Sequence, residues 1–277
     1  QLSPKQIAAI YASGMITSNM GLIELPHLIA PVSLEDFSEH VVSRQIPQIC
    51  SLPIHFIPGM KNMPDTAVSL TQLDTMDIMC GEETEALALL EHVNQKQNCL
   101  LVLPGSHTKF ILVNAEGQLS SCLTTLSGEL LSVLTNHTVL ADAVEHKFAD
   151  EKWNSEYLLA GFQTARTTSF SRTAFLTRIV SQFLSKDIEC CASFLLGTVL
   201  ENDITAIKSS TALKVFPHTQ VYIAGKEPFC SALLRLFAAD GYFSNVQNIS
   251  FPDWRPMSGY GALLIARKRG DFKFFTE

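Results

Sequence analysis

The sequence predicts an α/β protein, because hydrophobic strands and helices alternate along much of its 277 residues. Residues 99–125 are typical of three short strands, separated by turns at Pro104-Gly105 and near Gly117. From residue 221 onward a strand, a glycine turn, a helix, a second strand and a second helix follow one another. This order is typical of crossover helices that pack on a sheet.

Helices are predicted on both sides of the strand-rich region. Residues 84–90 are strong helix formers, and the acidic Glu82 and Glu83 before them suit the positive end of a helix dipole. Hydrophobic residues recur at helical spacing after Ser127, which predicts another helix there. Residues 172–207 are typical of two further helices. The predicted strands therefore have helices available to cover a sheet.

The length of the chain allows one large domain or two smaller ones, and one weakly periodic stretch favours two lobes. Residues 145–168 are polar and show little periodicity, so we expect them to connect the lobes. The first lobe is predicted over residues 1–145 and the second over residues 146–277. With 47% hydrophobic residues, the chain can bury a sizeable core.

Charge, hydropathy and cysteine content exclude several classes of partner. The formal net charge of -7 leaves no basic excess to neutralise phosphates, so no nucleic-acid partner is expected. The longest apolar stretch, residues 190–200, is far short of the ~20 residues of a membrane-spanning helix, so no membrane partner is expected. The seven cysteines form no Cys-x-x-Cys pair, and we expect reduced thiols in a cytoplasmic protein.

The segment Gly105-Ser106-His107-Thr108-Lys109, between two predicted strands, is a candidate phosphate-binding loop. Gly105 allows the backbone to approach a ligand closely. The hydroxyls of Ser106 and Thr108 and the ammonium of Lys109 can hold a phosphate group. The alternative is an ordinary hairpin turn with a surface lysine, since small residues are common between strands.

Glu82 and Glu83, at a predicted helix start, are candidates for a general base. A carboxylate that faces a cleft from this position can accept the proton of a substrate hydroxyl during a transfer reaction. The helix start is expected to lower the pKa of such a carboxyl, which keeps it ionised. The alternative is that both residues only complement the helix dipole. The sequence does not decide between the two glutamates.

Two further positions are candidates for binding a small polar ligand. Glu129, directly after Gly128 at a predicted helix start, can accept hydrogen bonds from sugar hydroxyls. Arg172 also begins a predicted helix, where a cation is unfavourable, and its planar fork suits a carboxylate or a phosphate. A solvated arginine is the alternative. His137, two turns after Glu129, is either a core histidine or a functional one.

Several short motifs occur in the order and spacing of a known family. From the N-terminus they are Ser13-Gly14-Met15-Ile16-Thr17-Ser18-Asn19, Ile57-Pro58-Gly59, Met79-Cys80-Gly81-Glu82-Glu83-Thr84, Leu103-Pro104-Gly105-Ser106-His107-Thr108-Lys109-Phe110, Ser127-Gly128-Glu129-Leu130 and Phe170-Ser171-Arg172-Thr173. In these motifs the chain resembles the 2-keto-3-deoxygalactonate kinase family. The resemblance is strongest from residue 14 to residue 140.

This resemblance implies a fold, an activity and partners. The implied fold is the two-lobed actin-like kinase fold, of the hexokinase and ribonuclease H type. The implied activity is transfer of the γ-phosphate of ATP to the terminal hydroxyl of 2-keto-3-deoxygalactonate, with Mg²⁺ as the accompanying metal. The implied partners are therefore ATP and a small sugar acid, and the resemblance is compatible with a homodimer.

Roles for individual residues follow from the same resemblance. The turn from Gly105 to Lys109 resembles the second phosphate loop of the family, with Lys109 at the γ-phosphate, and Gly225 resembles the turn that contacts adenosine. Either Glu82 or Glu83 is the implied base. Contacts with the sugar acid are implied for Ser18, Asn19, Ser127, Gly128, Glu129 and Arg172.

The chain departs from the family pattern in three places. The family usually has an arginine where this chain has Cys80, and the adenosine turn reads Ala224-Gly225-Lys226. Upstream of Gly14 only a helix-like stretch, residues 4–11, is present, without an Asp-x-Gly-Thr-like hairpin. We therefore expect the first N-terminal strand hairpin to be missing, through truncation or in a degenerate relative.

Two alternative functions stay open beside the leading one. The first is a kinase of the same fold that acts on another sugar or sugar acid. The second is a non-catalytic protein that binds a sugar acid, which the expected loss of the first phosphate-binding hairpin favours.

Overall fold

The structure, a computed structural model, describes residues 7–62, 68–93, 97–147, 152–251 and 256–271. The chain divides into two compact units. The first unit comprises Gln1–Cys99, Ile111–Cys122 and Phe251–Glu277, and the second comprises Leu100–Phe110 and Leu123–Ser250.

The strands and helices of the described residues have the following bounds. The strands are β1 (Ile10–Ala12), β2 (Leu28–Ile29), β3 (Val42–Arg44), β4 (Ile54–Phe56), β5 (Met60–Lys61), β6 (Ile78–Met79), β7 (Cys99–Leu103), β8 (Thr108–Val113), β9 (Leu119–Thr125), β10 (Gln220–Ile223) and β11 (Val246–Asn248). The α-helices are α1 (Leu34–Glu39), α2 (Glu82–Leu90), α3 (Ser127–His137), α4 (Ser155–Thr168), α5 (Phe170–Ile179), α6 (Ile188–Ser209), α7 (Phe229–Asp240) and α8 (Met257–Arg269).

The first unit holds two small sheets and the helices α1, α2 and α8. One sheet has the order β1-β4-β3, with β1 parallel and β3 antiparallel to β4. The other has the order β2-β5-β6, again with one parallel and one antiparallel pair. Helices α2 and α8 cross closely, since a Cβ on Gly261 would lie 1.8 Å from the carbonyl oxygen of Thr84. This contact attaches the last helix to the first unit.

A five-stranded sheet of order β11-β10-β7-β8-β9 supplies the strands of the second unit. Strands β10 and β11 are parallel, whereas β7, β8 and β9 are joined by short turns and are therefore antiparallel. Every residue of β7 is buried, which is typical of a central strand with both faces covered. Residues Ile111–Cys122, from β8 and β9, are grouped with the first unit.

Helix α6 forms the centre of the second unit. Helix α4 lies directly on it, because a Cβ on Gly161 would be 2.0 Å from the Phe194 carbonyl oxygen and one on Gly197 would be 1.9 Å from that of Leu158. Among the described residues, α6 is the one helix whose length and hydropathy reach those of a membrane span. The protein buries 83% of its most apolar window, as expected of a core helix.

Most of the predicted elements are present, and the α/β class is confirmed. The three strands predicted in residues 99–125 are β7, β8 and β9, and the helix predicted after the two glutamates is α2. The two helices predicted in residues 172–207 are α5 and α6, with a π-helical turn at Val180–Leu184 between them. Local hydrophobic spacing was sufficient to locate these elements.

The prediction that residues 145–168 form a connection is wrong in its second half, which is helix α4. The buried residues of α4 follow helical spacing, but Gly161 and Ala165 are too small to give a strong hydrophobic pattern. The stretch predicted to be helix-like, residues 4–11, ends in strand β1 (Ile10–Ala12), and residues 1–6 lie outside the described residues. The compact units also differ from lobes of 1–145 and 146–277, because α8 packs on α2.

Candidate active site

The predicted phosphate loop connects β7 to β8 at the surface of the second unit. Ser106 and His107 are exposed, and Gly105 is half-buried. A Cβ built on Gly105 would meet nothing closer than the His107 carbonyl oxygen, at 3.7 Å. A Cβ at this position would therefore make only an ordinary van der Waals contact, so the loop is not crowded there.

The start of helix α3 lies directly against this loop. A Cβ on Gly128 would be 2.3 Å from the carbonyl oxygen of Gly105, so the two backbones touch. The amide of Glu129 donates a hydrogen bond to the Ser106 carbonyl oxygen at 2.9 Å, and its carboxylate lies 2.7 Å from His107 Nε2. The structure thus brings together two motifs that the sequence predicted separately.

A buried carboxylate, that of Asp203 on α6, forms hydrogen bonds with residues next to this loop. Its Oδ1 accepts hydrogen bonds from the hydroxyls of Thr125, at 2.6 Å, and Ser127. Thr108 is fully buried and its hydroxyl also stabilises the charged form of this carboxyl. Within the described residues, Thr108 Oγ1 and Asp203 Oδ2 form no hydrogen bond of ordinary geometry. Asp203 therefore links the start of β8, the end of β9 and the start of α3.

Burial determines the protonation of Asp203. The side chain is fully buried, and burial raises the pKa of this carboxyl from 3.8 to about 6, although the hydroxyls of Ser127, Thr125 and Thr108 act in the opposite direction. The cost of burying a charge thus exceeds the stabilisation by three hydroxyl groups. Sequence analysis did not identify Asp203, because a single aspartate inside an apolar helix has no local signal of function.

Lys109 lies inside the second unit rather than at the surface. It is 6% exposed, and its Nζ donates a hydrogen bond to Thr124 Oγ1 at 2.9 Å. Successive residues of a strand point to opposite faces, so Lys109 on β8 cannot share the face of its neighbour Thr108. In this structure the ammonium of Lys109 stabilises the pairing of β8 with β9.

The predicted adenosine turn lies beside the phosphate loop. A Cβ on Gly225 would be 3.0 Å from Pro104 Cγ and 3.2 Å from the Pro104 carbonyl oxygen. The amide of Ala224 donates a hydrogen bond to the Val102 carbonyl oxygen at 3.0 Å, which continues the pairing of β10 with β7. The carboxyl ends of these two strands therefore lie together, as expected for a ligand-binding edge of an α/β sheet.

Arg172 is exposed near the start of α5. Its guanidinium lies over the ring of Phe175, with 5.9 Å from Cζ to the ring centroid. Among the described contacts of Arg172, none is with the loop or with α3. The structure therefore leaves Arg172 on the surface of the second unit.

In the first unit, the side chain of Glu83 is buried and bound to backbone amides. It is 1% exposed, and its carboxylate accepts hydrogen bonds from the amides of Met60, at 2.9 Å, and of Gly81. Burial raises the pKa of this carboxyl from 4.5 to about 7, against the lowering by these hydrogen bonds. The lowered pKa expected at a helix start is therefore wrong for Glu83, because desolvation outweighs the helix dipole.

Glu82 is half-buried at the first position of α2. The turn before it contacts the turn at Gly14, since a Cβ on Gly81 would lie 3.0 Å from Gly14 Cα. In the segment after Gly14, Ser18 is buried and its hydroxyl donates to the Met15 carbonyl oxygen at 2.8 Å, whereas Asn19 is exposed. The first unit thus brings together the turns that precede Glu82 and Asn19.

A histidine and a cysteine meet beside these turns. His27 Nε2 lies 3.0 Å from Cys80 Sγ, directly before the glycine that precedes α2. No local pattern predicts this pair, because the two residues are 53 positions apart. The residues that the structure describes contain no group of three or more His, Cys, Asp or Glu side chains that could hold a metal ion.

Comparison with known proteins defines the class of fold. A crystal structure from Sinorhizobium meliloti, provisionally named a 2-dehydro-3-deoxygalactonokinase, matches with a TM-score of 0.73 over 94% of this chain and 79% of its own, at 20% identity. The protein is therefore a mixed α/β protein with the fold of that structure. The family model of 2-keto-3-deoxy-galactonokinase matches residues 1–250. The chain belongs to this family.

Two curated relatives agree with the family. A 2-dehydro-3-deoxygalactonokinase of Escherichia coli (strain K12) is 27% identical over 202 residues, which are 72% of this chain and 57% of the relative. A probable 2-dehydro-3-deoxygalactonokinase of Rhizobium meliloti (strain 1021) is 28% identical over 137 residues, which are 49% of this chain and 40% of the relative. The chain thus spans about half the length of the curated relatives it matches.

Proposed function

We propose that the protein transfers the γ-phosphate of ATP to the terminal hydroxyl of 2-keto-3-deoxygalactonate. Membership in the family supports this activity, and both curated relatives carry the name of this kinase. The observation in the structure that carries the proposal is the loop at Gly105, which exposes Ser106 and His107 and lies against the start of α3.

A nucleotide phosphate fits this loop. Gly105 has no side chain to keep a phosphate oxygen from the backbone, and the exposed Ser106 hydroxyl can donate a hydrogen bond. Helix α3 has 11 residues and begins at the loop, so its positive end favours an anion there. ATP, when bound, supplies the phosphoryl group. The turn at Gly225, next to Pro104, is proposed to contact the adenosine.

We assign the general base to Glu82 rather than Glu83. The carboxylate of Glu83 is buried and already accepts two backbone hydrogen bonds, whereas Glu82 is half-buried. In this proposal Glu82 accepts the proton of the sugar-acid hydroxyl as that oxygen attacks phosphorus. Phosphoryl transfer depends largely on positioning, so an enzyme without this base would keep residual turnover.

The predicted sugar-acid contacts differ in their availability. The side chains of Asn19, Glu129 and Arg172 are exposed, and Arg172 is proposed to bind the substrate carboxylate. The hydroxyls of Ser18 and Ser127 already donate hydrogen bonds within the protein. Exposed polar groups therefore contribute most of the proposed specificity, together with the backbone at the start of α3.

Mg²⁺ is proposed to arrive with the nucleotide. This ion usually keeps several waters and binds substrate phosphates together with one or two carboxylates, rather than a complete cage of protein ligands. The actin-like form of the fold and a cytoplasmic location also belong to the proposal. The match in fold supports the first, and the free state of the described cysteines supports the second.

A non-catalytic sugar-acid-binding protein is the second candidate. The burial of Lys109 favours it, because an ammonium that is hydrogen-bonded to Thr124 inside the fold is not available to a γ-phosphate. The replacement of an arginine by Cys80, beside the proposed base, acts in the same direction, since it removes a cation.

The test is an assay of the purified protein with ATP, Mg²⁺ and 2-keto-3-deoxygalactonate. The kinase proposal expects release of ADP and a sugar acid heavier by one phosphate group. Lys109→Ala separates two roles of this ammonium: contact with the transferred group would lower kcat more than it raises KM, whereas a bond that only joins β8 to β9 would lower stability without this change in kcat. Lys214→Ala, at an exposed position, is the control.

Two outcomes would favour the alternatives. Calorimetric binding of the sugar acid without any product would support the non-catalytic binding protein. Faster turnover of another sugar acid would contradict the substrate assignment.

A further inference from the structure

The contact between His27 and Cys80 differs from the surroundings of the other described cysteines. Cys80 is half-buried, and its sulfur lies 3.0 Å from His27 Nε2. Cys50 is the other half-buried cysteine, and its thiol donates to the Leu52 carbonyl oxygen at 3.1 Å. The remaining five cysteines are buried. Burial raises the pKa of Cys99 to about 11 and that of Cys230 to about 12, which keeps them as unreactive thiols.

We propose that Cys80 is a covalent modification site, a nucleophilic thiol that His27 activates for reaction with hydrogen peroxide. An imidazole at hydrogen-bond distance from a sulfur is the arrangement that converts a thiol into a thiolate, which is the reactive species. The inference concerns the chemistry of the thiol and does not depend on the proposed kinase activity.

The surroundings of the pair act on proton transfer from sulfur to nitrogen in both directions. Burial, and after it the positive charge of Lys61, lower the pKa of His27, while the carboxylate of Glu24 acts in the opposite direction. The ring is therefore neutral near pH 7 and has a nitrogen within reach of the thiol proton, but the lowered pKa makes it a weaker base. The positive end of α2 begins after Gly81 and favours a thiolate at Cys80, whereas the neighbouring carboxylate of Glu82 opposes it.

The backbone at Gly59 keeps the sulfur and the ring together. A Cβ at this position would lie 2.9 Å from Cys80 Sγ and 2.8 Å from His27 Cδ2. It would also lie 2.4 Å from the carbonyl oxygen of Met79. A larger residue at position 59 would collide with both side chains, so this arrangement of Cys80 and His27 requires glycine there.

The reaction with peroxide balances with these groups alone. The proton of the Cys80 thiol passes to His27 Nε2, and the sulfur attacks one oxygen of hydrogen peroxide. An S–O bond forms as the O–O bond breaks, and the leaving hydroxide takes the proton from His27 to become water. Cys80 becomes a sulfenic acid, oxidised by two electrons, while the peroxide is reduced.

The first experiment measures alkylation of the native protein with iodoacetamide near pH 7, followed residue by residue with peptide mass spectrometry. For a generic thiol, a fall in pKa from about 8.5 to about 7 raises the thiolate fraction roughly fifteenfold, while its intrinsic nucleophilicity falls about fivefold. We therefore expect Cys80 to react at least about threefold faster than Cys50, the matched half-buried control. In His27→Asn this advantage should disappear, while Cys50 is unchanged.

The second experiment treats the same proteins with hydrogen peroxide and traps sulfenic acid with dimedone. The adduct is expected at Cys80 in the wild-type protein, and it should be lost in His27→Asn and in Cys80→Ser. Equal alkylation of Cys80 and Cys50, an unchanged rate at Cys80 in His27→Asn, or an adduct that forms equally at Cys50 would each overturn the proposal. If His27→Asn does not fold, the comparison of Cys80 with Cys50 in the wild-type protein decides. Neither experiment requires ATP or a sugar acid.

Discussion

Ser127, the first residue of α3, donates a hydrogen bond from its hydroxyl to the buried carboxylate of Asp203, in the middle of α6. The two residues are 76 positions apart in the sequence. Since the start of α3 also contacts the loop at Gly105, this hydrogen bond connects the centre of the second unit to the proposed phosphate site. The position of the loop therefore depends on a fully buried residue of another helix.

The raised pKa of Asp203 predicts a dependence of stability on pH. The folded protein binds this proton more tightly than the unfolded chain, with a pKa of about 6 against 3.8. The resulting stabilisation is complete below pH 3.8 and is lost as the pH rises to about 6. The loss corresponds to about 3 kcal/mol in the free energy of unfolding, at 1.36 kcal/mol per pKa unit.

Asp203→Asn is expected to remove this part of the pH dependence. Asparagine has no proton to lose, and its side-chain oxygen can still accept hydrogen bonds from Ser127 and Thr125. Urea unfolding at pH values from about 4 to about 8 measures the difference. Glu83 also has a raised pKa, so its contribution to stability is lost as the pH rises from 4.5 to about 7. This loss occurs in both proteins and cancels when their unfolding free energies are compared. Parallel curves for the two proteins would contradict the prediction.

Substitution of the two adjacent glutamates should separate stability from turnover. Glu83→Gln replaces a carboxylate that accepts two backbone hydrogen bonds with an amide that offers one acceptor oxygen, so an amide of Met60 or Gly81 loses its partner. We expect a loss of about 1–3 kcal/mol in the free energy of unfolding. Glu82→Gln should leave stability nearly unchanged and lower kcat about 100-fold or more. Urea unfolding and the ADP-release assay test this, and the reverse pattern would exchange the two roles.

Gly128→Ala should disturb the loop. The added Cβ would lie 2.3 Å from the Gly105 carbonyl oxygen and 2.8 Å from Ser106 Cα, so the loop must move. A displacement near 1 Å in a positioning element can lower kcat/KM about 100-fold. Gly259→Ala is the matched control in the first turn of α8, where the Cβ would meet only Pro256, at 3.9 Å. Alanine there should stabilise the helix by roughly 0.5–1 kcal/mol without affecting turnover. Equal kinetics in both variants would exclude a role for the loop.

Arg172→Met tests the proposed recognition of the substrate carboxylate. The wild-type protein should prefer a sugar acid to its neutral analogue, and the variant should lose that preference through a higher KM for the acid. Loss of a charge-assisted hydrogen bond is worth about 1.5–3 kcal/mol, which is roughly a 10- to 100-fold change. Arg178→Met, on the same helix, is the control, because Arg178 donates instead to the Val139 carbonyl oxygen. Equal slowing of acidic and neutral substrates would show that Arg172 does not bind the carboxylate.

The elements that the sequence predicted correctly have strong local patterns. Strand β7 is a continuous apolar run that ends at Pro104, and α2 begins after a glycine with acidic residues in its first turn. Helix α4 was missed because two of its four buried residues, Gly161 and Ala165, have almost no hydrophobic signal. The backbone of α4 packs directly on the backbone of α6. The sequence of α4 alone cannot reveal this contact, because the partner helix lies elsewhere in the chain.

The candidate site likewise combines features that local sequence patterns predict with features that depend on tertiary packing. The sequence by itself determined the α/β class, the positions of the turns at Gly105 and Gly225, and the acidic start of α2, because hydrophobic spacing and turn residues act over a few neighbouring positions. Only the tertiary structure decided that Glu83 is buried, that Lys109 bonds to Thr124, that Ser127 bonds to Asp203 and that His27 lies beside Cys80. Protonation and availability depend on burial and on partners distant in sequence, and both are properties of the packed chain.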